Sequence, residues 1–415
     1  MAGSPLGFAA AGRPRARGLM NALLTLALGL TSLSVVALAL RRGTVRLYGP
    51  QPVGTVTLIA ILFTSGLDVG LLLFPLLDFE RYASAPAYQF ANPLAIEFGF
   101  WGFWVWGLYF LSAVYFCLFE PRLRLFERPG IKTAHNAIIL GTCAFTAYLF
   151  LSMLPDYLPG LSAAAHLLLV AAVILLAVAS SLRFSVLRWL SLSSSVVFLA
   201  LIAVGAWTVE LGRGDLIARS EDLAAYFQHF PRFLSPLSDY HAFYLWWWFT
   251  WSLMIGQFIA RFLAGQRTLV VLALLLIVPS IPLALWFAVL YQFHLTGTAL
   301  PPIFTVLIIA VGVLFLVNSL DSLTRLYTQN LALSPEKLGA PAYLAVNWLL
   351  IFGLVLLYRY TPLEIEWLGL AVLGLYALVY LHLLRSARPN WSDETPASGR
   401  QAGHPSPGAN RQTEA

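Results

Sequence analysis

Long apolar stretches alternate with short polar links along most of this chain. Between Leu19 and Leu384 the apolar runs are each long enough to cross about 30 Å of hydrocarbon as an α-helix. This pattern predicts eleven membrane-spanning helices, at residues 19–40, 55–77, 95–119, 134–154, 161–181, 186–209, 241–263, 268–293, 301–327, 339–359 and 364–385.

The regions outside these spans divide the chain into three parts. Residues 1–18 are predicted to be an N-terminal polar segment, and residues 19–385 a transmembrane domain. Residues 386–415 are rich in Ser, Pro, Gly, Asn and Arg, and they are predicted to be a disordered tail because they cannot bury a core. The long connection from Glu210 to Tyr240 favours a short helix at the membrane surface.

Composition strengthens the membrane assignment. Hydrophobic residues make up 59% of the chain and charged residues 11%, whereas about a quarter of the residues in a soluble domain are charged. We therefore expect an all-α polytopic membrane protein. Cys117 and Cys143 lie inside predicted spans, where they are most simply small buried hydrophobes. The net charge of +6 is spread thinly over span ends, so nucleic-acid binding is not indicated.

The distribution of Lys and Arg predicts the orientation. If the link after the first span is cytoplasmic, 17 basic residues lie inside and 5 outside, apart from the three arginines before that span. The C-terminus is therefore expected in the cytoplasm. With eleven spans the N-terminus lies outside, although it carries Arg13, Arg15 and Arg17. A cleaved signal-like segment is an alternative interpretation of that conflict.

The most aromatic part of the chain is the run Trp246–Trp251 in the seventh span. On a helix, four aromatic side chains of this region fall within an arc of about 100°, namely Tyr244, Trp247, Trp248 and Trp251. Indole faces carry negative quadrupole density, and several together can hold a quaternary ammonium, which has no N–H to donate. The run indicates a binding box for an organic cation.

A second aromatic cluster lies in the third span. On one continuous helix Trp101, Trp106 and Tyr109 cover about 140°, and Trp104 points elsewhere. Trp101 and Trp247 lie at similar depths in spans of the same direction, so the two clusters are predicted to form one box. Helix packing and interfacial aromatic belts are the alternatives.

Two further segments carry polar residues inside spans. Thr64–Gly70 in the second span contains Gly66 and Asp68, which fits either a broken helix at a substrate site or close helix packing. In the first case Asp68 would be a counter-charge or a proton carrier. Asn318–Ser322 in the ninth span suits a hard cation such as Na⁺, or helix–helix hydrogen bonds.

These segments, in this order, resemble the betaine/choline/carnitine transporter family. Its Trp-Trp-x-x-Trp helix with a Phe-[Leu/Ile]-Ala-Arg end is matched by Trp247–Trp251 and Phe258–Arg261. Its other motifs are matched by Gly43–Leu47, Ser65–Leu71, the set Trp101, Trp106 and Tyr109, and Asn318–Ser322. The likeness runs from about Gly43 to the last span.

The resemblance implies leucine-transporter-like inverted five-helix repeats and a secondary transporter of choline, glycine betaine, carnitine or sulfonium solutes. It implies a substrate box of Trp101, Trp106, Tyr109, Trp247, Trp248 and Trp251. We add Asp68 as the partner of a cationic head. The resemblance also implies a Na⁺ site at Thr64, Leu67, Phe315, Asn318 and Ser319. A bacterial inner-membrane location, contact with membrane lipid, osmoprotection and a homotrimer are further expectations, and no other metal or cofactor is expected.

The chain also departs from that family. It has one span fewer than the usual twelve, Asp68 in a segment that has lost glycines, and Asn318 where the sodium motif has Thr. Either Na⁺ or H⁺ is therefore expected as the coupling ion, with uniport or antiport as options. An onium-binding sensor or scaffold is the alternative function. A membrane enzyme is a weaker one, because the histidines show no acid–base spacing.

Overall fold

The computed structural model describes residues 14–64, Leu67 and residues 69–386. Asp68, most of the predicted N-terminal segment and nearly all of the predicted tail lie outside the described residues. Within them the secondary structure is helical, and one antiparallel bridge joins Arg46 to Arg267. The prediction of an all-α polytopic membrane protein is confirmed.

The described residues contain seventeen α-helices. The first nine are α1 (Pro14–Arg42), α2 (Thr55–Thr64), α3 (Val69–Ser84), α4 (Pro93–Trp101), α5 (Val105–Val114), α6 (Glu120–Leu123), α7 (Pro129–Tyr157), α8 (Ala163–Ser180) and α9 (Phe184–Thr208). The others are α10 (Arg213–Gln228), α11 (Asp239–Ala260), α12 (Thr268–Ile277), α13 (Ser280–Thr296), α14 (Pro302–Asn330), α15 (Pro335–Leu338), α16 (Ala340–Tyr360) and α17 (Ile365–Ser386).

Nine helical stretches in the described part are long and apolar enough to cross a membrane. The pair α2 and α3, bent by 47° at its break, makes a tenth. Each of the ten coincides with a predicted span. The remaining predicted span, the seventh at 241–263, coincides with α11, which is rich in Trp, Tyr and other less apolar residues. The count of eleven spans therefore stays a prediction.

The third predicted span is interrupted, so the prediction of one continuous helix through Trp101, Trp106 and Tyr109 is wrong. Gly102 follows the end of α4, and a Cβ there would lie 2.6 Å from the ring of Phe98. Phe103 adopts a left-handed φ of 47°. Its N–H donates to Ser280 Oγ at 2.9 Å. The break thus interrupts the helix at residues 102–104 within one membrane-spanning stretch, Pro93–Leu123.

The connection between the sixth and seventh spans forms α10, as predicted. Its Tyr226 ring packs against Phe98 of α4 with 5.2 Å between centroids. Asn92, which caps α4, donates from Nδ2 to the carbonyl oxygen of Asp222 at 2.8 Å. The helix thus covers the beginning of α4.

The helices α4, α5 and α11 run side by side in the same direction. Phe100 stacks on His241 with 4.4 Å between centroids, while further along Cys117 Sγ contacts the Ala260 carbonyl at 3.6 Å. Gly256 permits this approach, because a Cβ at that position would collide with Ser112. The parallel course brings the two aromatic segments to the same depth.

The chain divides into two compact units, Met1–Leu375 and Tyr376–Ala415. The first contains α1 to α16 and the beginning of α17, and the second contains the end of α17. The site described below lies entirely in the first unit.

Candidate functional site

Trp101 lies at the centre of a buried group of aromatic rings. Its ring centroid is 5.3 Å from those of Tyr244 and Trp247 and 5.6 Å from that of Trp248. All three contacts are nearly perpendicular, at 80°, 78° and 89°. Perpendicular contact places the positive edge of one ring on the negative face of another, which is a favoured aromatic geometry.

Trp106 and Tyr109 of α5 join this group through Trp248, with centroid separations of 6.3 and 5.9 Å. The structure thus brings together five of the predicted box residues. With Tyr244 we call them the aromatic cluster: Trp101, Trp106, Tyr109, Tyr244, Trp247 and Trp248. The sixth predicted residue, Trp251, lies on the next turn of α11 and is buried.

The second half of the broken helix touches the aromatic cluster. Phe74 of α3 lies 6.2 Å from Trp101 and 6.3 Å from Trp247 between ring centroids. Gly70 lies closer still, because a Cβ there would be 3.1 Å from the ring tips of both tryptophans. Asp68 precedes this position by two residues but lies outside the described ones. Any movement of α3 therefore changes the space between Trp101 and Trp247.

Several indole N–H groups of this region have no acceptor among the described residues. They belong to Trp101, Trp106, Trp247 and Trp251, and all four are buried. Trp248, in contrast, donates from Nε1 to the carbonyl oxygen of Phe100 at 2.6 Å. Buried polar groups are nearly always hydrogen-bonded. The four indoles therefore offer hydrogen-bond donors to a polar solute or to water.

The two neighbouring tryptophans that the sequence places outside the box point away from it. Trp104 donates from Nε1 to Ser32 Oγ on α1 at 2.9 Å. Trp246 packs against Gly369 of α17, where a Cβ would lie 2.6 Å from its ring. On α11, position around the helix therefore distinguishes Trp247 and Trp248, which face the aromatic cluster, from Trp246, which does not.

A carboxyl group lies beside the aromatic cluster. Asp78 of α3 is 2% exposed and accepts a hydrogen bond from Tyr240 at 2.6 Å. The hydroxyls of Tyr82 and Tyr244 lie 3.4 Å from the same oxygen. Arg81 forms an ion pair of 3.0 Å with the other oxygen. Tyr244 also packs on Trp101, so this tyrosine connects the carboxyl group of Asp78 to the aromatic cluster.

A second carboxyl, Glu97 of α4, lies nearby and is 0% exposed. It interacts electrostatically with Asp78 and lies within range of the Tyr82 hydroxyl and the Trp101 indole. Neither of its oxygens forms a hydrogen bond of good geometry with a described residue. Sequence reasoning missed both acids. Glu97 lies inside the predicted third span, where an ionisable residue is itself a sign of function.

The predicted ion-site residues meet at the break between α2 and α3. Ser319 Oγ of α14 donates to the Leu67 carbonyl oxygen at 3.0 Å. Asn318 Nδ2 makes a long contact of 3.5 Å with the Thr64 carbonyl oxygen. Phe315 is buried one turn away, against Phe198. The carbonyl oxygens of Thr64 and Leu67 at the break thus contact polar side chains of α14.

Asp321, in the same motif, has a different role. It pairs with Arg325 at 2.8 Å, and both side chains are buried. Arg325 also donates to the carbonyl oxygens of Ser180 and Arg183 at 2.6 and 2.8 Å. Ser180 is the last residue of α8, where a cation is favourable, and Arg183 directly precedes α9. The pair joins α14 to α8.

No protein-family model matches the chain. It is similar to an uncharacterized transporter of Mycobacterium bovis and to uncharacterized transporters of two Mycobacterium tuberculosis strains. Each is 29% identical over 114 residues, which is 25% of this chain and 19% of the relative. The chain thus spans about a fifth of the length of the curated relatives it matches.

This similarity and the many apolar helices support a membrane transporter. The relatives' names give no substrate and no coupling ion. The resemblance to the betaine/choline/carnitine transporter family is not shown by these comparisons and stays a prediction.

Proposed function

We propose that this chain is a secondary transporter that carries quaternary-ammonium solutes of the choline, glycine betaine and carnitine type, or their sulfonium analogues. The observation that carries the proposal is the aromatic cluster, in which indoles from α4, α5 and α11 converge in a buried place. Several indole faces together suit a methylated cation that cannot donate hydrogen bonds. The proposal includes a location in the bacterial inner membrane, which the chain would cross several times.

The mechanism that fits this arrangement is alternating access with a moving broken helix. Gly70 and Phe74 of α3 touch the cluster, while Leu67 at the break bonds to Ser319 of α14. A shift of α3 therefore alters both the cluster and the break. Transporters commonly place substrate at such discontinuous helices near the middle of the bilayer.

The coupling ion in this proposal is Na⁺ or H⁺. For Na⁺, the carbonyl oxygens of Thr64 and Leu67 with Asn318 and Ser319 provide oxygen ligands, and the ion would replace the bond from Ser319 to Leu67. For H⁺, the carriers would be carboxyl groups near the cluster.

The first test is equilibrium binding by calorimetry with the detergent-solubilised protein. Choline is compared with 3,3-dimethylbutanol, a neutral alcohol of almost the same shape. We expect choline to bind and the neutral alcohol to bind at least about tenfold more weakly, because only the cation gains from the indole faces. Equal affinities would show that the cluster recognises shape alone, and no binding by any onium compound would reject the proposal.

A further inference from the structure

Glu97 is, among the described residues, the acid beside the aromatic cluster that forms no ion pair with a basic side chain. Arg81, the cation nearest in sequence, is committed to Asp78 at 3.0 Å. Asp78 additionally has hydrogen-bonding tyrosines, whereas both oxygens of Glu97 lack a bond of good geometry. Asp78 is thus paired with a cation and hydrogen-bonded, whereas the neighbouring Glu97 has neither kind of partner.

The groups that face Glu97 come from three sides. On α3 and the turn after it are Asp78, Arg81, Tyr82 and Tyr88, and on α11 are Tyr244 and the buried His241, whose ring stacks on Phe100 of α4.

Two other helices packed on α4 carry charges that are paired elsewhere. Arg219 of α10 pairs with Asp222 at 3.3 Å and lies over the ring of Tyr291 of α13. The short turn before α11 carries Arg232, which lies over Phe90. No described cation besides Arg81 is therefore among the groups that act on Glu97.

Charge balance determines what such a carboxyl does. A buried carboxylate without an ion-pair partner is costly, so the neutral acid is the favoured form at this position. Glu97 lies four residues before Trp101 on α4, and residues at that spacing share a helix face. A cation held at Trp101 would supply the missing charge.

We propose that Glu97 releases its proton when a net-cationic onium solute binds at the aromatic cluster, so that solute and proton exchange for one another. This inference rests on the proposed function and names the preferred substrate class. In the step the carboxyl O–H bond breaks, the proton passes to water, and the positive charge of the solute balances the new carboxylate. No bond to the solute forms.

A selectivity follows from this exchange. Choline carries a net positive charge and replaces the proton, whereas glycine betaine carries its own carboxylate and does not. The affinity for choline rises with pH, because proton and solute compete for one charge site. Thermodynamic linkage sets the slope at about tenfold per pH unit while Glu97 is protonated in the free protein.

The experiment measures proton release from the full-length detergent-solubilised protein in weakly buffered solution with a pH-sensitive dye. Choline is added to saturation, and glycine betaine is added in a parallel sample. We expect release of about one proton per bound choline and almost none with glycine betaine. In Glu97→Gln we expect choline binding to persist, proton release to disappear and the affinity to become independent of pH.

The matched control is Glu80→Gln, the same change on an exposed acid of α3. It is expected to keep the proton release. If the native protein binds choline without proton release, or Glu97→Gln releases the proton as before, the inference is wrong while the proposed function stands. If the native protein binds no onium compound, both are wrong. If Glu97→Gln fails to fold, choline binding without proton release in the native protein still rejects the inference.

Discussion

Replacing Trp247 by Leu tests the aromatic cluster most selectively. Trp247 is 3% exposed, and its ring faces those of Trp101, Phe74 and Trp248 at 5.3 to 6.3 Å. A desolvated cation gains about 2 kcal/mol from one indole face. The loss of that face therefore weakens choline binding roughly 30-fold.

Trp246→Leu is the matched control. Trp246 is the neighbouring residue, is 1% exposed and packs against Gly369 outside the cluster. Both variants remove one indole from the same buried helix, so we expect similar losses of thermal stability. Only Trp247→Leu should weaken choline binding.

Titration calorimetry on both detergent-solubilised variants is the assay, with the melting temperature recorded for each. The expected result is a roughly 30-fold higher Kd for Trp247→Leu and a change of less than about threefold for Trp246→Leu. Equal Kd changes in the two variants would refute the reasoning, because the effect would then follow from general loss of packing.

Two further substitutions test other parts of the account. Gly70→Ala places a methyl group 3.1 Å from Trp101 and Trp247, and the resulting overpacking of about 1 kcal/mol should weaken choline binding roughly fivefold. The control Gly214→Ala, which has open space around its Cβ, should leave the Kd for choline unchanged. An unchanged Kd in Gly70→Ala would contradict the contact between α3 and the two tryptophans. Arg325→Met leaves Asp321 charged and buried, so we expect about 3–5 kcal/mol lower stability, visible as a lower melting temperature. The double variant that also carries Asp321→Asn should regain most of the lost melting temperature, and a native-like melting temperature in Arg325→Met alone would contradict this.

The sequence alone predicts the spans and which tryptophans share a face. Spans depend on apolar length, and α11 carries its aromatic residues at helical spacing, so Trp247 and Trp248 face one way while Trp246 faces another. The sequence does not predict the break between α4 and α5. The break at Gly102 depends on the Phe98 ring and on the bond from Phe103 to Ser280, which are tertiary contacts.

The acids beside the cluster show a second limit of sequence reasoning. Asp78 lies one residue beyond the predicted second span and therefore looks like part of a polar link, but α3 continues to Ser84. Glu97 lies near the beginning of its span, where an acid is easily taken for an interfacial residue. Its complete burial depends on the helices that pack on α4, among them α3 and α10, and these are tertiary contacts.

Uptake of radiolabelled choline into proteoliposomes containing the purified full-length protein tests the central claim most directly. The account predicts saturable uptake above that of protein-free liposomes, and its loss in Trp106→Leu. It further predicts faster choline uptake when the proton concentration is higher inside the proteoliposomes than outside, because protons leave as choline enters. Failure of the native protein to take up choline, glycine betaine, carnitine and a sulfonium analogue, under Na⁺ and proton gradients alike, would contradict the account.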